Sequence, residues 1–178
     1  MKKLAAMLLL AGCSSVAMAE VDYGVGVSVK DSDSFIYLPI DISESWRVEP
    51  SFRYYHYKND YRSEFPSSSY ENVELAVGVF KKKLIFENIK FLYGVRTGYF
   101  QTKIDSDYNT TGEGDGYIFT PTVSFEYLIN RKFSVGGEVG LRYQKFNSNE
   151  QSESWFNTSG TSSEVITTTT GLNVRFYF

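Results

Sequence analysis

Residue types able to do chemistry are sparse in this 178-residue chain: one His, one Cys, and a set of Arg and Glu side chains at regular spacings. His56 stands between Tyr55 and Tyr57. Nucleophilic catalysis needs such a base beside a hydroxyl or thiol and an acid that orients it. A lone His among tyrosines reads instead as part of an aromatic belt, so no enzyme is expected. Asp105-Ser106-Asp107-Tyr108-Asn109 has the opening spacing of a calcium loop. Its sixth position is Thr110 where the turn requires Gly, and its twelfth is Gly116 where a bidentate Glu belongs. The segment reads as a solvated acidic loop, and neither a metal nor a cofactor is expected.

The remaining chemistry is ionic. Arg47, Arg53, Arg96, Arg142 and Arg175 stand against Glu49, Glu74, Glu126 and Glu138, all on the polar alternate positions of strand-like segments. Arginine's planar fork matches a carboxylate at two points. A buried charge costs several kcal/mol unless paired, so five arginines against four glutamates predict a lumenal charge network inside a closed polar interior.

Elements of period two must position these charges. Val21 to Val29 alternates Val and Tyr with Asp, Gly and Ser, and Phe35 to Ile42 follows as a second strand with Ile36, Leu38, Ile40 and Ile42 on its apolar face. Phe35 and Tyr37 blur the opposite face. A third strand runs from Trp46 to about Tyr57, a fourth is centred on Val73 to Val79, and a fifth spans Ile89 to Gln101. The sixth covers Tyr117 to Tyr127, the seventh Phe133 to Tyr143 and the eighth Ile166 to Phe178. Connections at 43–45 and 129–132 are tight, that at 81–88 is intermediate, and those at 58–70, 102–115 and 147–163 are long and polar. Lys81, Lys82 and Lys83 fall in the intermediate connection and read as a solvated turn.

A soluble sandwich could use the same apolar faces. Against it, those faces carry aromatics near the strand ends, at Trp46, Tyr54, Tyr99, Tyr117, Tyr127, Phe133 and Tyr143, where membrane interfaces would fall. The alternate faces are rich in Gly, Ala, Ser and Thr, suited to a cramped lumen. The expectation is an all-β, eight-stranded antiparallel up-and-down transmembrane β-barrel with short periplasmic turns and longer extracellular loops.

The N-terminus reads as a secretory signal over 1–19: Lys2 and Lys3, an apolar run from Leu4 to Gly12, and Ala17-Met18-Ala19 before Glu20. The barrel domain is then 20–178. Leu10-Ala11-Gly12-Cys13 leaves open a competing reading as a lipoprotein cleavage site. Removing the signal leaves 16 basic residues against 21 acidic ones, which argues against a nucleic-acid partner.

With its strand pattern and its terminal Gly171-Leu-Asn-Val-Arg-Phe-Tyr-Phe178, the mature chain resembles the OmpA/OmpX-type family of small outer-membrane barrels. The resemblance implies residence in the outer membrane of a Gram-negative bacterium, among outer-membrane lipid and lipopolysaccharide, as a monomer. It also implies that Leu172, Val174, Phe176 and Phe178 form the signal read by the barrel-insertion machinery. Some members modify lipid A, one type with His and Ser two residues apart. Here the residue two past His56 is Lys58. The function expected is structural or one of cell-surface interaction, such as adhesion or envelope integrity, with a surface ligand met through loops bearing Tyr61, Phe65, Tyr70, Tyr108, Trp155 and Phe156. The alternative is a narrow channel for ions or small hydrophobic molecules, and a lipid A-modifying enzyme ranks below both.

Overall fold

The computed structural model describes residues 21–30, 33–59, 68–106, 110–152 and 159–178. The expected signal peptide with Cys13, and Tyr61, Phe65, Asp107, Tyr108, Asn109, Trp155 and Phe156, lie outside the described residues. Nine strands follow in order: β1 (Asp22–Lys30), β2 (Asp33–Tyr37), β3 (Ile40–Asp41), β4 (Trp46–Asn59), β5 (Ser68–Phe86), β6 (Ile89–Ser106), β7 (Thr110–Leu128), β8 (Phe133–Ser152) and β9 (Ser159–Tyr177).

β2 and β3 are two pieces of one stave. Proline offers no N–H to a ladder, and the stave breaks at Leu38-Pro39. The break stays bonded to its neighbours, with Leu38 N–H donating to Pro50 O at 2.9 Å and Gly24 N–H to Pro39 O at 3.0 Å. Each stave pairs antiparallel with the next, and β1 closes on β9 from Gly24 opposite Tyr177 to Lys30 opposite Gly171. The result is an eight-stave up-and-down barrel.

Its polarity is inverted relative to a soluble domain. Leu75 is 61% exposed and Leu172 72%, while Arg47 is fully buried and Arg175 is 1% exposed. Water would penalise such an exterior, whereas hydrocarbon solvates it and leaves the lumen as the polar phase. Trp46, Tyr127, Phe176 and Phe178 ring the end that holds the short turns, and Tyr54, Tyr99 and Tyr117 lie toward the other. The second stave sends Phe35 and Tyr37 inward, at 8% and 1% exposure, while Ile36 and Leu38 face out. Space for the Tyr37 ring comes from Gly26, where a Cβ would collide with it.

Two sequence expectations require correction. The supposed connection at 81–88 is mostly strand, since β5 runs to Phe86 and only Glu87 and Asn88 turn the chain. Lys82 is accordingly a lumenal residue paired with Asp41 at 2.6 Å, not part of a solvated turn, while Lys81 and Lys83 face outward. The long segments at 102–115 and 147–163 are also largely strand, because β6 continues to Ser106, β7 begins at Thr110, β8 reaches Ser152 and β9 begins at Ser159. Each supplies the other's ladder partners over that length.

The β1–β2 hairpin is much shorter. Pairing between β2 and β4 ends at Ile36 opposite Phe52, and pairing between β1 and β9 ends at Lys30 opposite Gly171. Above those levels β4 and β9 each keep one edge without a neighbouring strand among the described residues. A closed ring thus continues as an open, curved sheet of the six strands β4 to β9.

Candidate functional site

Alternation along each strand sends every second side chain into the lumen, where charges gather in three layers. Nearest the short turns, Arg47 donates through Nε to Asp41 Oδ1 at 2.6 Å, through Nη1 to Glu126 Oε2 at 2.8 Å and through Nη2 to the Tyr177 hydroxyl at 2.8 Å. Glu126 also accepts from Ser134 Oγ at 2.5 Å and from the Tyr177 hydroxyl. Lys82 and Arg47 both hold Asp41. This layer ties β3, β4, β5, β7, β8 and β9 together across the barrel axis.

The middle layer centres on Arg96, which donates to Glu49 Oε2 at 3.1 Å and Glu138 Oε1 at 3.2 Å. Arg175 lies 3.8 Å from Glu49, and Asn173 donates to Glu138. Aromatic faces complete the cation environment. The Arg96 guanidinium lies over Phe35 and Phe80, at 5.0 and 5.5 Å from the ring centroids, and Arg175 lies 5.4 Å from that of Tyr37. A cation over a ring face gains from the ring quadrupole, most when both are out of water.

In the upper layer Arg53 and Arg142 both reach Glu74 Oε2 at 2.6 Å, and Arg142 Nε donates to Gln144 Oε1 at 3.3 Å. Ala76, Phe100, Ile118 and Phe146 form an apolar cluster beside it. Phe100 and Phe146 stack at 5.9 Å, and Gly116 lets the Phe100 ring approach. Between the middle and upper layers lies a cavity of about 20 Å³ lined by Phe35, Ser51, Arg96 and Thr120 among others. That is room for about one water molecule. Above the upper layer the lumen widens into a vestibule of about 280 Å³ lined by Arg53, Tyr55, Tyr70, Asn72, Phe100, Arg142 and Gln144.

The nine charged residues singled out from sequence all face the lumen, split among these layers as Arg47 and Glu126; Glu49, Arg96, Glu138 and Arg175; and Arg53, Glu74 and Arg142. Asp41, Lys82 and Tyr177 were missed. Asp41 and Tyr177 continue the inward alternation of Phe35-Tyr37-Pro39 and Asn173-Arg175, so period two alone points to them. Lys82 was hidden by reading a turn where a strand continues. Elsewhere, His56 is exposed and opposite Glu71 in the β4–β5 ladder. Leu172, Val174, Phe176 and Phe178 all face outward, and the Phe178 N–H donates to Tyr23 O at 3.0 Å, stitching the last residue to β1. Among the described residues, no group of three or more His, Cys, Asp or Glu side chains is arranged to hold a metal.

No family model matches the sequence, and no curated protein matches it. Solved structures do. A major outer membrane protein from Thermus thermophilus superposes with a TM-score of 0.53 at 17% identity, covering 89% of this chain and all of that one. Ail, the attachment invasion locus protein of Yersinia pestis, in complex with the heparin analogue sucrose octasulfate, gives 0.50 at 10% identity over 89% of this chain and 96% of its own. The fold is that of small outer-membrane β-barrels.

Proposed function

On this outer-membrane barrel fold, we propose that the chain is a surface-interaction protein of the outer membrane, with the eight-stave ring as its anchor and the six extended strands as its working part. One observation carries the reading: β4 to β9 continue well beyond the point where the ring closes, while the ring itself is filled. Three layers of ion pairs and an apolar cluster occupy the axis, which favours a plug over a conduit for hydrophilic solutes. Small barrels of eight strands have interiors that side chains can fill. An attachment protein, Ail, shares the fold, and a role in adhesion is carried to this chain on that footing.

The outward Leu172, Val174, Phe176 and Phe178 are proposed as the segment recognised by the insertion machinery. Lipid and lipopolysaccharide are the proposed surroundings of the barrel, and a monomer the proposed state.

The test is whole-cell adhesion by an outer-membrane host expressing the protein, against a form in which 103–113 and 147–162 are replaced by short turns. Loss of adhesion to cultured epithelial cells, with heat-dependent gel mobility retained, is the expected outcome. Equal adhesion by both forms, together with stepwise conductance of the intact protein in planar bilayers, would overturn the proposal in favour of a narrow channel.

A further inference from the structure

We infer that the vestibule above the upper ion layer is a binding site for a sugar residue carrying one acidic group. The inference rests on the surface-interaction reading and names a ligand class for it. The vestibule measures about 280 Å³, near the lower bound of small-molecule pockets. That volume suits one or two pyranose rings.

Its lining has the chemistry of sugar recognition. Tyr55 and Tyr70 pair edge to face at 6.0 Å and Phe100 forms a further apolar wall. Ring faces take the C–H side of a pyranose, and a Tyr hydroxyl adds a polar handle. Asn72 is only 7% exposed, lines the vestibule, and has a carboxamide oxygen without a hydrogen-bond partner. An orphaned buried acceptor costs free energy, and a turn of the enclosed Asn72 carboxamide toward the vestibule would let a sugar hydroxyl recover that cost by donating to it.

The acidic group follows from Arg142. This side chain spends three N–H groups on Glu74 and Gln144, and a guanidinium carries five. Two donors therefore remain for a carboxylate or sulfate. Gln144 accepts from Arg142 through its oxygen, which leaves its NH₂ group to donate beside them.

Access follows from the fold. Above Phe52 and Gly171 no strand stands between β4 and β9 among the described residues, and Tyr55 sits on that open flank at 38% exposure. A sugar borne on a chain could enter sideways, its neighbours remaining outside. The same chemistry could come from a soluble or host glycan or from acidic sugars of neighbouring lipopolysaccharide.

The full mature protein in phospholipid nanodiscs would be titrated with methyl glucuronide, methyl glucoside and acetate by ligand-observed NMR. Binding of the glucuronide at least tenfold tighter than either control is expected, with Arg142→Met and Asn72→Leu each reducing it tenfold or more. Tyr55→Ala lies outside the ion layers and is expected to lower affinity severalfold while gel mobility stays unchanged. Nanodiscs containing lipopolysaccharide distinguish the sources: loss of glucuronide binding there assigns the site to the resident lipid, and retention assigns it to a free glycan. Equal affinity for all three probes, or glucuronide affinity unchanged in all three variants, overturns the site. The two proposals fail separately: cell adhesion that persists in these variants but vanishes on trimming the strands sinks the sugar site alone, whereas adhesion indifferent to trimming sinks the surface reading.

Discussion

The closed ring and the open sheet above it are made by the same strands, yet they obey different rules. In the ring each strand has two neighbours, one face meets lipid, and the other meets a packed polar lumen. Inward charges there find partners on a neighbouring strand or across the axis, as Arg47 does with Asp41 beside it and Glu126 opposite. In the open sheet both faces meet solvent, residues 161–168 are all exposed, and charges pair at the surface, as Lys145 does with Glu164 at 3.2 Å. Similar ion pairs should therefore differ greatly in what they contribute.

The largest effect is expected in the floor of the ring. Arg47→Met leaves Glu126 with only the Ser134 and Tyr177 hydroxyls and Asp41 with Lys82, and breaking a buried pair from one side costs about 3–5 kcal/mol. Urea unfolding in detergent or lipid vesicles should show the midpoint falling accordingly. If Arg47→Met unfolds with the parent, the lumenal network does not hold the ring together. A second break acts from outside. Leu75→Arg places a charge on the lipid face, and near mid-bilayer this costs about 2–4 kcal/mol. Vesicle-based folding yields should fall for it, while an equivalent charge at Ile166, on the open sheet, should change little. Equal losses at both positions would mean that the boundary between ring and sheet is misplaced. The smallest effect is expected from Glu164→Gln, since exposed pairs contribute about 0–1 kcal/mol. A shift as large as that of Arg47→Met would erase the contrast between the two regions.

Much of the ring was legible in the chain because its two phases impose a strict alternation. Val25, Val27 and Val29 could be read as one face and Gly24, Gly26 and Ser28 as the other before any neighbour was known, and the eight strands taken together turned the apolar face to lipid. Arginine and glutamate in the polar register likewise announced themselves, since only a closed interior requires them in near balance. Two features resisted the same logic. Phe35 and Tyr37 point inward against their hydrophobicity, because the lumen supplies Arg96 and Arg175 for their ring faces to cover and Gly26 for the Tyr37 ring to fill. The polar ends of β6, β7, β8 and β9 have the composition of loops, yet they are strands.

The extent of a strand is set by whether a neighbour offers hydrogen bonds over the same length, and that is a property of the assembled sheet. Thr102 to Ser106 extends because Thr110 to Gly114 lies opposite; β1 stops at Lys30 and leaves the edge of β9 away from β8 without a partner among the described residues above Gly171. By itself the sequence determined which side chains share a face along each regularly alternating strand, since a period of two is local. Only the tertiary structure decided which charges meet, that Lys82 joins them, and where the ring opens into a sheet, since all three depend on register between strands far apart in the chain.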